Sequence, residues 1–116
     1  MKSHKKINKP WGYEEIWANT EKYVGKILFI ESGKRLSLQY HQKKDETILV
    51  SSGKLLLEIG PNKDNLLSLI LNPGESYHIK PEIVHRMSAI SDTEVIEVSS
   101  TELDDVIRIE DDYGRK

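Results

Sequence analysis

Apolar and polar residues alternate with a period of two in several short segments of this chain, most clearly in residues 35–41. Successive side chains of a strand point to opposite faces of a sheet. The alternation therefore predicts a polar face made by Arg35, Ser37, Gln39 and His41 and an apolar face made by Leu36, Leu38 and Tyr40. The polar face is the unusual one, because its side chains are candidates for chemistry rather than for packing.

Similar β-branched or alternating segments recur along the chain, and clusters of Gly, Pro, Asn and Asp separate them. The predicted strands number about nine or ten and cover 13–18, 23–30, 35–41, 47–51, 54–59, 66–71, 76–80, 85–89 and 94–99. Residues 103–109 could form one helical turn or a final strand. No segment before them has the 3.6-residue period of a helix, so the pattern predicts an all-β sandwich or barrel.

The length of 116 residues fits one domain with one core. The first residues are basic and lack an apolar segment, so we expect a flexible basic arm over residues 1–8 and a single domain over residues 9–116. No apolar run is long enough to span a membrane, and no signal-peptide pattern follows the arm. A cytoplasmic protein without a membrane partner is the expectation.

Charge and cysteine content narrow the possible chemistry. Charged residues make up 31% of the chain, yet the net charge is -2 and both signs are scattered, which does not predict a nucleic-acid partner. The chain has no cysteine, which excludes disulfides, thiolate catalysis and cysteine-ligated metals. A metal would have to be held by His, Asp, Glu or Gln side chains.

Four nitrogen and oxygen side chains are spaced so that they could converge. Gln39 and His41 share a face of one predicted strand, Glu46 follows a short turn, and His85 lies on a later strand. Each of them alone is an ordinary polar residue on a sheet surface. Their joint spacing favours a shared site for a divalent cation.

The same residues carry a resemblance to the cupin superfamily. The spacing Gly33-x5-Gln39-x-His41-x4-Glu46-x6-Gly53 is similar to the first cupin motif, with Gln39 where many cupins have His. A second motif retains Gly74 and His85 but departs from the pattern at Lys80, Glu82 and Ala89. The resemblance implies an all-β cupin double-stranded β-helix, that is, a jelly-roll barrel.

A closer resemblance is to the isomerase domain of type II mannose-6-phosphate isomerases. In that family the domain is often fused behind a mannose-1-phosphate guanylyltransferase. Here we expect it to stand alone. The resemblance is carried by residues 9–12, 35–41, 52–53, 84–86, 96–98 and 107–115. It implies one divalent metal ion held by Gln39, His41, Glu46 and His85, and interconversion of mannose 6-phosphate and fructose 6-phosphate through an enediol(ate). Zinc is the first expectation for the metal, and manganese, nickel, cobalt or iron would also accept these ligands.

The isomerase hypothesis needs a base and a phosphate-binding group. Lys44 is the first candidate for the base, with a pKa depressed by burial beside a cation, and a solvated lysine at a hairpin tip is the alternative. Lys43 departs from the resemblance, which implies a histidine there. Arg35, expected on the inward face, is a candidate for both catalysis and phosphate binding.

Lys43, Lys80 and Arg86 are further candidates for binding the substrate. If His85 faces the metal in a regular strand, however, Arg86 faces away, and a salt bridge outside the barrel is then the expectation unless the strand bulges. Leu36, Leu38 and Tyr40 would form an exposed apolar band, which predicts burial by the N-terminal strands or by the partner in a homodimer.

Three functions remain open from the sequence. The first is the sugar-phosphate isomerase, and the second is a non-catalytic cupin that binds a sugar or a sugar phosphate, which the departures at Lys43, Glu82 and Ala89 favour. The third is a different cupin enzyme, such as an oxygenase or a sugar-nucleotide epimerase, because a fold does not choose the chemistry.

Overall fold

A computed structural model describes residues 5–116, and in that range it consists of strands, turns and loops without any helix. The strands are β1 (Lys5–Lys9), β2 (Gly12–Asn19), β3 (Val24–Ile30), β4 (Leu38–Tyr40), β5 (Glu46–Ser52), β6 (Leu55–Gly60), β7 (Leu67–Leu71), β8 (Ser76–Ile79), β9 (Val84–Ala89), β10 (Thr93–Ser99) and β11 (Ile107–Glu110). The predicted all-β class is confirmed, and the segment after residue 103 ends in a strand rather than a helical turn. Over the described range, no helix could cross a membrane.

The strands form two antiparallel sheets. One has the order β1-β2-β3-β10-β5-β8, and the other has the order β11-β4-β9-β6-β7. Their inner faces enclose a core of buried apolar side chains: Trp11, Leu28, Ile30, Leu36, Ile48, Val50, Leu55, Leu57, Ile59, Leu71, Ile79, Met87, Ala89 and Val95. Strands β3, β5, β6 and β10 alternate buried and less buried positions, as the period of two predicts for strands with one face on a core.

The expected flexible arm is wrong for residues 5–8. These residues belong to strand β1, which pairs with β2 in the register Lys5↔Ile16 to Lys9↔Gly12. The side chain of Ile7 is half-buried, and the ammonium group of Lys6 lies 4.1 Å from the centre of the Tyr13 ring. Backbone pairing and these contacts order a segment whose composition alone predicts mobility, and residues 1–4 lie outside the described part of the chain.

The alternation predicted for residues 35–41 holds only in part. Regular pairing covers just β4, because Arg35 forms only an isolated bridge to Ser88 and residues 36–37 lie outside any strand. Arg35 is exposed and Leu36 is packed in the core, which is the reverse of the prediction for both. Leu36 and Leu38 are 9% and 4% exposed within one chain, so of the two expected ways of burying them, burial within the chain is the one seen for these residues, and the homodimer stays a prediction.

Two turns of the cupin-like motifs need unusual backbone conformations. Gly53 has φ +89°, and a Cβ there would lie 2.2 Å from the carbonyl oxygen of Asp92, so only glycine fits. Glu82 has φ 70°, a left-handed conformation in which a glycine would be less strained. The N–H of Glu82 donates to the carbonyl of His41 at 2.6 Å, and this bond ties the turn to a residue of the candidate site.

A buried candidate metal centre

Three of the four predicted ligands meet inside the barrel. His41 follows β4, Glu46 opens β5 and His85 lies on β9, and each is no more than 3% exposed. Their ligand atoms all lie within 4.8 Å of one another. The carboxylate oxygen Oε2 of Glu46 is 3.0 Å from Nε2 of His41 and 3.3 Å from Nε2 of His85. Residues from three separate strands or strand ends therefore form one buried group that could hold a metal ion.

Backbone carbonyls orient both imidazole rings. Nδ1 of His41 lies 2.5 Å from the carbonyl oxygen of Asp105, and Nδ1 of His85 lies 3.0 Å from that of Ile83. A neutral ring that donates from Nδ1 presents a lone pair at Nε2. Both lone pairs then point towards a carboxylate, and the buried Nε2 of His85 has no hydrogen-bond partner. This donor set fits a cation between the three side chains, since backbone carbonyls commonly orient metal-binding histidines in this way.

Gln39 lies beside this group. It is directly opposite His85 in the pairing of β4 with β9, so the two side chains share a face of the sheet. The hydroxyl of Ser37 donates to Oε1 of Gln39 at 2.6 Å. That oxygen has a second lone pair, which leaves Gln39 able to serve as a neutral fourth ligand.

The electrostatics keep Glu46 ionised. Burial alone would raise the pKa of its carboxyl, but the adjacent rings of His41 and His85 and the charge of Lys44 lower that pKa well below the ordinary value. The group is therefore an anionic ligand flanked by two neutral nitrogen donors. Such a set of nitrogen and oxygen ligands suits zinc and other divalent transition metals.

Lys44 lies in the site but does not have the depressed pKa predicted for it. Its ammonium nitrogen is 3.0 Å from Oε2 of Glu97 and 3.5 Å from Oε1 of Glu46, and the residue is 5% exposed. Burial lowers the pKa of Lys44, but attraction to Glu97 and Glu46 more than offsets this and raises it above the ordinary value. The prediction of a neutral lysine base is therefore wrong for this arrangement, and Lys44 is a fixed positive charge.

Glu97 is a buried acidic residue of the site that sequence reasoning missed. It lies on β10 and is 4% exposed, and burial together with the charge of Glu46 raises the pKa of its carboxyl. The signal in the sequence was its place in the alternating strand 94–99, where Val95, Glu97 and Ser99 share the buried face. A carboxylate at an inward position of a strand rarely serves packing.

Asp105 is a second residue that the sequence did not identify. Its carboxylate accepts hydrogen bonds from the backbone N–H groups of Gln42, Lys43 and Lys44 at 3.0, 2.7 and 2.9 Å. Bonds from Lys43, Gln42 and Lys44 lower the pKa of Asp105 to about 2. Asp105 thus holds the turn between His41 and Glu46 with its side chain and the His41 ring with its carbonyl. Asp105 lies more than 60 residues from that turn along the chain, so the spacing of residues in the sequence did not indicate this role.

The candidates for phosphate binding lie elsewhere. Arg35 is exposed outside the cavity and makes a bidentate ion pair with Asp112, at 2.6 and 2.9 Å. Arg86 faces away from the ligands, as regular alternation predicts, and donates to the carbonyls of Leu36 and Glu110. Lys43 and Lys80 are exposed, and neither lines the cavity beside the candidate metal centre. The assignment of substrate binding to these four residues therefore has no support in the geometry.

A cavity of about 460 Å³ opens onto the site. Its walls include Gln39, His41 and Glu46 from the ligand group, together with Lys44 and Glu97. The volume lies within the range of roughly 300–1,000 Å³ that is usual for pockets that bind small molecules. The lining mixes apolar side chains with charged ones, so a polar molecule of modest size could reach the ligand group.

Comparison with known sequences gives one family match that covers nearly the whole chain. The model of the family described as the mannose-6-phosphate isomerase C-terminal domain matches residues 1–111. The xanthan biosynthesis protein XanB of Xanthomonas campestris pv. campestris is 31% identical over 117 residues, which cover 97% of this chain and 24% of XanB. The mannose-1-phosphate guanylyltransferase ManC of Salmonella typhimurium is 32% identical over 118 residues, which cover 97% of this chain and 23% of ManC. The chain thus spans about a quarter of the length of these curated relatives.

Solved structures agree on the fold. KdgF from Halomonas sp. superposes with a TM-score of 0.76 at 20% identity, covering 87% of this chain and 89% of that one. An RmlC-like cupin from Shewanella frigidimarina gives 0.75 at 12% identity, covering 86% of each chain. Oxalate decarboxylase from Bacillus subtilis gives 0.80 at 13% identity, covering 91% of this chain and 30% of that one. The predicted cupin jelly roll is confirmed.

Proposed function

Because the chain belongs to the mannose-6-phosphate isomerase C-terminal family, we propose that it is a metal-dependent isomerase that interconverts mannose 6-phosphate and fructose 6-phosphate. The observation that carries the proposal is the buried group of His41, Glu46 and His85, with the unpartnered Nε2 of His85, at the wall of an open cavity. A purely structural cluster would not leave a buried ring nitrogen unsatisfied beside a carboxylate.

His41, Glu46 and His85 would hold the ion, and Gln39 would complete the set. A bound divalent ion supplies Lewis-acid stabilisation for the negative charge that develops on the oxygens of an enediolate. The protein contributes a buried ligand group, beside which that charge interacts more strongly with fixed groups than it would in water.

The reaction moves one proton between adjacent carbons. A base removes the proton on C2 of mannose 6-phosphate, the electron pair forms the C1–C2 double bond of the enediolate, and the negative charge moves to the aldehyde oxygen O1. The proton then returns at C1, while the proton of the C2 hydroxyl passes to O1 and leaves the C2 carbonyl of fructose 6-phosphate. We assign the proton transfer to Glu97, a carboxylate at the cavity wall that is not among the proposed ligands, and whose raised pKa favours exchange of a proton. Lys44 stays protonated between Glu97 and Glu46 and adds positive charge near the enediolate.

A sugar-phosphate binding cupin without catalysis is the second candidate. The specific observation that favours it is the ion pair of Lys44 with two carboxylates, which removes the base that the sequence predicts. In that case the cavity and the ligand group would bind the sugar without moving a proton.

A coupled assay separates the two functions. Metal-stripped protein is assayed for conversion of mannose 6-phosphate to fructose 6-phosphate before and after zinc, manganese, nickel, cobalt or iron is added back singly. The isomerase is expected to regain turnover with at least one ion, and Glu97→Gln is expected to lose turnover while still binding fructose 6-phosphate. Binding of the sugar phosphate without turnover under any ion would replace the isomerase with the binding cupin.

A further inference from the structure

Resting on the proposed function, we propose that Arg108 of β11 and Lys9 of β1 form the subsite for the phosphate group of the sugar phosphate. Both residues line the cavity that opens onto the candidate metal centre. Each lies on the edge strand of a different sheet, so the pair would grip the phosphate from two sides of the cavity.

The strand register sets the distance of Arg108 from the ligand group. Arg108 lies opposite Gln39 in the pairing of β11 with β4, and Gln39 lies opposite His85 in the pairing of β4 with β9. The three side chains therefore form one row on the inward face of the sheet. Two strand spacings separate the ends of this row, or about 10 Å. A sugar whose first two carbons lie at the ligand group would extend its terminal phosphate along this row towards β11.

Arg108 is also the arginine whose donors are least used. Arg35 and Arg115 make bidentate ion pairs with Asp112 and Asp111, and Arg86 donates to two carbonyls. Arg108 donates from Nη1 to the main-chain oxygen of Lys116 at 2.6 Å, and its Nε is buried without a partner. No Asp or Glu side chain of residues 5–116 makes an ion pair with it, although hydrogen bonds from Arg115 and the charges of Arg115 and Arg108 lower the pKa of Asp111. A guanidinium at a cavity wall with spare donors is suited to a phosphate, which it can bind with two parallel hydrogen bonds.

Lys9 supplies a second uncompensated charge. The other deeply placed lysines of the cavity are neutralised, because Lys26 pairs with Glu14 at 3.3 Å and Lys44 pairs with Glu97. Lys9 is half-buried at the end of β1 and makes no ion pair within the described chain. Asp104 also lines the cavity but is exposed to water, which screens its charge.

Binding measurements on the metal-loaded protein test the subsite independently of turnover. Arg108→Gln is expected to weaken binding of fructose 6-phosphate and of inorganic phosphate by about 10–100-fold, the loss typical of a charged hydrogen bond. Lys9→Gln is also expected to weaken the binding of fructose 6-phosphate and of inorganic phosphate, by a smaller factor. This second variant tests the subsite even if Arg108→Gln fails to fold. Metal content and the binding of unphosphorylated fructose should stay as in the wild type.

Lys63→Gln is the matched control, because it removes one positive charge from an exposed turn and should leave phosphate binding unchanged. Wild-type affinity for phosphate in both Arg108→Gln and Lys9→Gln would overturn the subsite, even if the protein is an active isomerase. Conversely, Arg108-dependent binding of phosphate without any turnover would uphold the subsite and overturn the isomerase.

Discussion

At the scale of single residues, the candidate centre is defined by what each ring nitrogen can bind. The Nδ1 atoms of His41 and His85 are engaged by carbonyls, so only their Nε2 atoms remain for a ligand. Those atoms converge on one oxygen of Glu46. Removing one member of the set therefore removes a ligand, and because all three are buried it also leaves a cavity beside the core.

His85→Ala is expected to lower metal occupancy after loading by 10-fold or more, the loss typical when a site is perturbed, and Gln39→Ala should lower it less because an amide is a weaker ligand. Elemental analysis after dialysis measures the occupancy, and circular dichroism checks that the fold is kept. His78→Ala is the matched control, since that ring is half-exposed and pairs with Asp45. Unchanged metal content in both His85→Ala and Gln39→Ala would remove the assignment of the centre.

Lys44→Met is expected to destabilise the metal-free protein by about 3 kcal/mol, since it leaves two buried carboxylates without their shared cation. Urea unfolding measures the loss. Lys43→Met, one residue away but exposed, should change the free energy of unfolding by less than about 0.5 kcal/mol. Equal effects of the two substitutions would mean that the ion pairs of Lys44 do not stabilise the fold.

At the scale of elements, the strands were predictable and the segments that complete the site were not. Alternation located β3, β5, β6 and β10, because each packs one face on the core. It failed at Arg35 and Leu36, where the chain leaves the regular ladder and exchanges the two faces. From their spacing, Gln39, His41, Glu46 and His85 were expected to converge on one site. The structure brings three of them together, namely His41, Glu46 and His85. Spacing could not predict Glu97 or Asp105, whose partners are distant in sequence.

The loop between β10 and β11 acts on the site through Asp105. The folded-state pKa of about 2 lies below the ordinary value of 3.8, so the stabilisation from this carboxylate is complete above about pH 4 and is lost as the pH falls towards 2. Asp105→Asn should therefore lower the urea midpoint at pH 6 but leave it close to the wild-type value near pH 2. Unfolding midpoints of both proteins across this range measure the difference. A constant difference at every pH would contradict the role of the ionised carboxylate.

At the scale of the whole molecule, the two sheets enclose the core and the cavity beside the candidate metal centre, and the candidate ligands come from both sheets. Glu46 opens β5 in the six-stranded sheet, whereas His85 lies in the five-stranded sheet. An ion between them would therefore join the two layers. The homodimer stays a prediction: of the three apolar residues on which it rested, Leu36 and Leu38 are buried within the chain and Tyr40 is half-buried.

Metal binding is accordingly expected to stabilise the whole domain. A ligand that binds only the folded state at 100 times its dissociation constant adds about 2.7 kcal/mol to the free energy of unfolding. Thermal unfolding with and without added zinc or manganese measures the rise, and His85→Ala should show little of it. An equal rise in the wild type and in His85→Ala would place the stabilising ion at some other site.

The double role of Asp105 also bears on the order in which the protein matures during synthesis. A nascent chain that has emerged from the ribosome only as far as Ser100 already contains His41, Glu46 and His85. It lacks the carbonyl that fixes the His41 ring and the carboxylate that caps the turn at residues 42–44. Metal uptake should therefore follow the arrival of residue 105 rather than guide the folding of the strands before it.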